Sequence, residues 1–307
     1  MLAAVGENRG AEWPSGRPGP AAEGGECRGW PDGALLVGGL GGGFGRGFSA
    51  NATEVEQEGL RLPPVKLFKR EDVPVSLGLI VDNSGSMRER RSKVESAAVQ
   101  MVKASNQLDQ VFIVNFNDEA YLDCDFTSNV KEMEERGLSR IDSRGGTAFY
   151  DALGMSIDHL KAGKRDKKVL MLITDGADNA SGLTLEKLLA KIHAADGLVV
   201  HAIGLLATEA PREARKAKRA LEEITKAGGG LCFLPKELDE VDKLALQVAH
   251  DIRNQYAIGY SPTNQNMDGT FRQVRVVANG PNKPVVRTRS GYYATPDQRE
   301  PKVTSAR

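Results

Sequence analysis

An α/β fold built on a doubly wound, mostly parallel sheet is predicted by three features of this 307-residue chain. Val75–Val81, Val111–Phe116, Lys168–Thr174 and Leu198–Ile203 are nearly continuous apolar runs of strand length, the pattern of strands buried on both faces. Segments with helical apolar spacing separate them. Two of the runs lead into aspartates, Asp82 and Asp175, at the carboxyl ends of strands, where open α/β sheets bind their ligands.

The elements follow in order. Residues 1–58 are compositionally foreign to the rest: the first fifty hold fifteen of the 34 glycines and both tryptophans, without helical or strand period. They are expected to be disordered, as a leader or an extension that is not naturally translated. Ala34-Leu-Leu-Val-Gly-Gly-Leu40 followed by Ala50-Asn-Ala52 faintly resembles a signal peptide, but its apolar run is short and broken by glycine. From Val75 strand and helix alternate. Ser92–Gln107 places Val94, Ala97, Ala98, Met101 and Val102 on one helical face. Asn117-Asp118 turns into a short antiparallel edge strand, Ala120–Cys124. Asn129–Arg136 is polar and helical, and Ala148–Leu160 is a helix behind the loop Gly145-Gly146-Thr147. Helix Thr184–Ala194 separates the third and fourth strands. Helix Pro211–Lys226 stops at Gly228-Gly-Gly230, before a last parallel strand at Leu231–Leu234. Helix Glu237–Arg253 buries Leu238, Val241, Leu244, Ala245, Val248 and Ile252 and closes a domain over 59–254. The segment 255–295 changes to alternating strands, Gln255–Tyr260, Phe271–Ala278 and Val285–Arg289, parted by Asp268-Gly269 and Asn279-Gly280; it predicts an antiparallel appendage of two or three strands. Residues 296–307 are expected to be a disordered tail.

Composition excludes several classes of function. Lys+Arg and Asp+Glu are equal at 41 each, so no global field draws in nucleic acid or an anionic membrane. The basic runs 161–168 and 212–219 have no aromatic platform beside them and read as solvated surface. No apolar run reaches the ~18 residues of a transmembrane helix. Cys27, Cys124 and Cys232 have no metal-ligand spacing, and Cys124 and Cys232 read as buried thiols. The four histidines are scattered and have no neighbours at metal spacing.

Chemistry concentrates at the strand ends. Asp82-Asn-Ser84-Gly-Ser86 presents a carboxylate and two hydroxyls on one tight loop, hard oxygen ligands that suit Mg²⁺, Mn²⁺ or Ca²⁺ rather than Zn²⁺. Thr147 and Asp175-Gly176 come from two further loops at the same end of the sheet. Each piece alone has a plainer reading: Asp82, Ser84, Ser86 and Thr147 as helix caps, and Asp175-Gly176 as a turn. Three caps would not need to share this order and these strand ends.

The succession Asp-x-Ser-x-Ser, Gly-Gly-Thr, Thr-Asp-Gly resembles a von Willebrand factor A-type domain with a metal-ion-dependent adhesion site. The wording Asp72-Val-Pro-Val-Ser-Leu-Gly-Leu-Ile-Val-Asp-Asn-Ser-Gly-Ser-Met87, with Gln255-Tyr-Ala-Ile-Gly-Tyr260 and Arg289-Ser-Gly-Tyr-Tyr293, is closer still to A-domain-related proteins of acidobacteria. The resemblance covers roughly residues 60–295. It implies that Ser84 and Ser86 ligate a divalent cation, Mg²⁺ foremost, directly, that Thr147 does so in a ligand-ready state, and that Asp82 and Asp175 act mostly through bound water. One coordination position is then left for the carboxylate of a partner protein. Asn83, Arg88, Gly146 and Asp178 are rim candidates for that partner. Resembling proteins carry a small β module before the A domain, of which only Val55–Lys69 could be a remnant; the family and the leader together favour export over the cytoplasm.

The function expected is therefore non-catalytic, cation-dependent recognition of an acidic protein group. The alternative is a metal-dependent phosphoryl-transfer or hydrolytic enzyme using the same carboxylates. Asn83-Ser84 breaks the Asp-x-Asp of a dehalogenase-like phosphatase. A receiver-type phosphoacceptor has its lysine at Lys236 but lacks the acidic pair, and Asp82–Ser86 is no Gly-x-Ser-x-Gly elbow.

Overall fold

The computed structural model describes residues 34–39, 53–62, 67–71, 73–138, 143–262, 264–278 and 286–295. Strands β1 (Ala34–Gly39), β2 (Thr53–Gln57), β3 (Leu60–Arg61) and β4 (Leu67–Glu71) come first. The alternating stretch is β5 (Val75–Asp82), α1 (Arg91–Lys103), β6 (Gln110–Phe116), β7 (Ala120–Thr127), α2 (Val130–Met133), α3 (Phe149–His159), β8 (Lys167–Thr174), α4 (Leu185–Ala194), β9 (Leu198–Gly204), α5 (Pro211–Gly228), β10 (Cys232–Phe233) and α6 (Glu240–Arg253). Four strands follow: β11 (Gln255–Gly259), β12 (Phe271–Ala278), β13 (Val286–Thr288) and β14 (Gly291–Tyr293).

The central sheet has the order β10-β9-β8-β5-β6-β7. Every neighbouring pair is parallel except the edge strand β7, which runs antiparallel to β6. Its inner strands are buried along their length because helices cover both faces. Leu77, Leu79 and Val81 of β5 pack with α1 and α6, while Ile80 faces α3, α4 and α5. This is the predicted doubly wound fold. The chain leaves β5 toward β6 and later returns on its other side as β8. That reversal splays the loops after β5 and β8 apart and opens a crevice at their carboxyl ends.

Two smaller sheets, β13-β1-β11-β4 and β14-β12-β2-β3, lie outside this layer structure. They bury Val55, Leu62, Ile258, Tyr260, Val274 and Val276 against one another, with Val286 and Tyr292 packed at the side. The appendage expected over 255–295 is thus half of a sandwich whose other strands precede the α/β core. β4 and β11 pair antiparallel, with Glu71 opposite Gln255, so the α/β domain is an insertion between two neighbouring strands. Ala34–Gly39 and Thr53–Gln57, expected within a disordered leader, are strands β1 and β2, paired with β11 and β12. Their partners lie about two hundred residues away in sequence, and no local pattern reports such pairing. The remainder of 1–52 and the 296–307 tail lie outside the described residues.

Contacts among the described residues lock the sandwich to the α/β core. Helix α5 ends on Gly229 in the left-handed conformation (φ 72°), where an added Cβ would lie 2.5 Å from the Arg289 backbone nitrogen; only glycine gives this turn and this approach. Arg289 donates to the carbonyl of His193 near the end of α4, a cation at a helix C-terminus. Arg287 of β13 pairs with Asp251 of α6 at 2.5 Å. Cys124 on β7 and Cys232 on β10 sit at opposite edges of the central sheet and are both unbridged.

Candidate metal centre

The loop after β5 is built by its own aspartate. Asp82 is fully buried; its Oδ1 accepts the Ser84 amide at 2.8 Å and its Oδ2 accepts the Thr174 hydroxyl at 2.5 Å. The first bond makes the tight turn that brings Ser84 and Ser86 round, a side-chain-closed turn; the second ties the end of β5 to the end of β8. Ser84 Oγ and Ser86 Oγ are 3.2 Å apart, and Ser86 Oγ donates to Asp175 Oδ1 at 2.8 Å. Ser86 is exposed while Ser84, Asp82 and Asp175 are buried, so the oxygen cluster opens to solvent on one side.

The Gly-Gly-Thr loop is stitched to this turn through the main chain. Arg144 N donates to Asn83 O at 3.0 Å and Gly85 N to Gly145 O at 3.3 Å. Gly145 has φ 75°, and a Cβ there would fall 2.1 Å from Asp118 Oδ2. Asp118 uses that space, accepting the Gly146 amide at 2.7 Å. Asn179 Oδ1 accepts the Thr147 amide at 2.9 Å. Thr147 is buried, and its Oγ1 lies 3.7 Å from where a Cβ of Gly176 would be, beside Asp175.

Asp82, Ser84, Ser86, Thr147 and Asp175 therefore surround one crevice. The rim candidates divide. Arg88 is exposed and donates to Ser143 O at 3.1 Å, and the Gly146 backbone is partly exposed. Asn83 and Asp178 are turned inward: Asn83 Oδ1 accepts from Ser143 Oγ, and Asp178 accepts the Tyr150 amide at the start of α3. Neither side chain belongs to a rim, because both satisfy buried donors that would otherwise be orphaned. Four residues beyond the five ligand candidates complete the centre. Thr174 and Asn179 adjoin aspartates already singled out. Arg90, four residues after Ser86, donates to Asp175 Oδ2 and to Thr208 Oγ1. Asp118 carried no signal beyond a turn, since its partner is 28 positions away.

Burial pushes the Asp82 carboxyl up to about 6, against the hydrogen bonds from Thr174 and Ser84 that favour its charged form. Burial also raises Asp175, opposed by Ser86 and Arg90. Two carboxylates this far from water are costly to ionise without cations beside them. The donors are all oxygen, with hydroxyls outnumbering carboxylates. Among the described residues no three His, Cys, Asp or Glu side chains gather as a metal site. The set fits a hard divalent cation, which would hold both carboxylates ionised.

A family model described as von Willebrand factor type A domain matches residues 77–177. The chain carries a von Willebrand factor type A domain. The match spans β5 to the loop after β8, the stretch that supplies all five oxygen-bearing residues. The von Willebrand factor type A protein from Catenulispora acidiphila shares the fold at 12% identity and TM-score 0.52, with 86% of this chain and 74% of that one covered. The PilB minor pilin from Streptococcus sanguinis is similar at 14% identity and TM-score 0.50, over 60% of this chain and 62% of that one. Proximal thread matrix protein 1 from the mussel byssus, with a zinc-occupied MIDAS motif, is similar at 16% identity and TM-score 0.51, over 64% of this chain and half (50%) of its own length. No curated protein matches the chain. At these identities the likeness is one of fold.

Proposed function

We propose that the A domain holds a divalent cation through Asp82, Ser84, Ser86, Thr147 and Asp175 and uses it to recognise an Asp or Glu carboxylate on another protein, without catalysing a reaction. The observation that carries this is the open oxygen cluster backed by two buried carboxylates at the strand-order reversal. Hard oxygen donors favour Mg²⁺, with Mn²⁺ and Ca²⁺ as the other candidates. A bound cation supplies a positive charge at a partly desolvated surface, where a single carboxylate contact counts for more than an exposed ion pair. The zinc-occupied motif of the byssus protein supports a metal in this position, and zinc belongs in the same titration.

The same carboxylates are poorly placed for acid–base work. Asp82 is fully buried away from water, and Asp175 is paired with Arg90, so neither is placed as a base for a water molecule. Export is part of the same reading, since two structurally similar proteins are a pilin and a byssus thread protein. No helix among the described residues is long and apolar enough to cross a membrane.

The test is calorimetric titration of Mg²⁺ and Mn²⁺ into the full chain beside Ser84→Ala and Asp175→Ala. Saturable binding is expected in the wild type, with at least a tenfold loss in each variant and unchanged far-ultraviolet circular dichroism. A folded wild type that binds no cation, alone or with acetate added, defeats the reading. So does metal-dependent turnover of a phosphate ester that Ser84→Ala abolishes.

A further inference from the structure

Arg90 places a fixed positive charge inside the centre. Its guanidinium sits between Asp175 at the end of β8 and Thr208 in the turn after β9, with its side chain 19% exposed. The adjacent Arg91 is a different case: its Nε pairs with Glu95 at 2.9 Å and its remaining donors go to Asp82 O and Asn115. Arg91 thus brings its own counter-charge, whereas Arg90 is balanced by Asp175, one of the five residues of the proposed cation site. Asp178 is turned toward the start of α3, and Lys216 donates to its carbonyl.

We propose that Arg90 is the specificity-determining counter-ion of this site: it weakens the site's hold on the cation and leaves the loaded site positive enough to capture a carboxylate. The inference rests on the cation reading above. Formal charge carries the argument. Asp118 and Arg88 are exposed and screened by water, so the buried and half-buried charges are those of Asp82, Asp175 and Arg90; they leave one negative charge, and a divalent cation makes the loaded centre positive by one. Without Arg90 the same cation would be neutralised by the two buried aspartates, and an outside carboxylate would meet no net charge. Burial makes this difference larger than it would be on an exposed surface. Arg90 therefore opposes cation affinity and supports acid recognition, two effects that a merely structural arginine would not push in opposite directions.

The experiment is calorimetric titration of Mn²⁺ into the full-length wild type, Arg90→Gln and Arg90→Lys at pH 7.5, without and with acetate. In the wild type acetate should tighten Mn²⁺ binding, the reciprocal of Mn²⁺ promoting acetate binding. Arg90→Gln should bind Mn²⁺ about tenfold more tightly and lose the acetate effect, because like-charge repulsion and the residual positive charge disappear together. Arg90→Lys, which keeps the charge, should behave as wild type. Arg90→Met is the second neutral variant if Gln lowers the melting temperature. Equal or weaker Mn²⁺ binding by the folded neutral variants, beside a wild type that binds, overturns the role of Arg90 and leaves the cation site standing. Absence of Mn²⁺ binding in wild type and neutral variants alike overturns both.

Discussion

Ser84 and Ser86 stand two positions apart on one turn, yet one is buried and the other exposed. Their difference comes from Asp82, whose carboxylate captures the Ser84 amide and so curls the chain before Ser86. At this scale the oxygen donors were legible because strand, turn and hydroxyl spacing are local properties. The residues that hold them were not. Asp118 reads as half of an Asn-Asp turn, and its bond to Gly146 exists only once the loops meet. Asp118→Ala should cost about 1 kcal/mol of stability, the worth of one exposed hydrogen bond. It should weaken cation binding severalfold by loosening Thr147; denaturant titration and Mn²⁺ calorimetry measure the two effects. Asn83 and Asp178 show the opposite failure: polar residues beside a site suggest a rim, but the Ser143 hydroxyl and the Tyr150 amide took their side chains first.

The elements of the α/β core follow their apolar periods. Val75–Asp82 and Phe271–Ala278 begin and end at or next to the expected residues, since a continuous or alternating run sets a strand's length. Helix α1 stops at Lys103, earlier than its pattern suggested, because Ala104 caps it and the chain turns toward β6. Helix α5 runs on to Gly228, two residues further than expected, before Gly229 ends it. The glycine run was visible as a stop signal, but its second duty, admitting the backbone of Arg289, needs the folded molecule. Gly229→Ala places a side chain at φ 72° against that backbone. A loss of about 1–3 kcal/mol is expected, read as a lower melting temperature, with Mn²⁺ affinity unchanged because the centre lies at the ends of other strands.

For the whole molecule the sequence suggested a domain with a tail, whereas the chain folds as a domain set into a sandwich. Alternation marked the strands after α6, but only tertiary pairing tells which strands they meet. The titration of His201 reports on this assembly. His201 is fully buried on β9, accepts the Leu231 amide at 3.1 Å, and lies 3.9 Å from Asp251, which Arg287 ties to β13. Burial lowers its pKa from 6.5 to about 4, partly offset by Asp251. The unfolded chain therefore takes up this proton before the folded one does. Its contribution is complete above pH 6.5 and is lost as pH falls toward 4, a change on the order of 3 kcal/mol. Urea unfolding across that window should show the wild type losing more stability with acid than His201→Gln, since His193, also lowered to about 4, and Asp82, raised to about 6, titrate alike in both proteins.

The insertion also fixes how the molecule carries load. Glu71 enters the A domain and Gln255 leaves it as partners on adjacent antiparallel strands. A pull exerted through the crevice thus reaches the sandwich at one end of the β4–β11 ladder, along both strands at once. Hydrogen bonds so loaded part in succession, like a zip, rather than sharing the strain as they would in shear. An adhesive contact made through this domain would give way gradually at its root, with Arg287, Arg289 and the Gly229 turn as the catches that must release first.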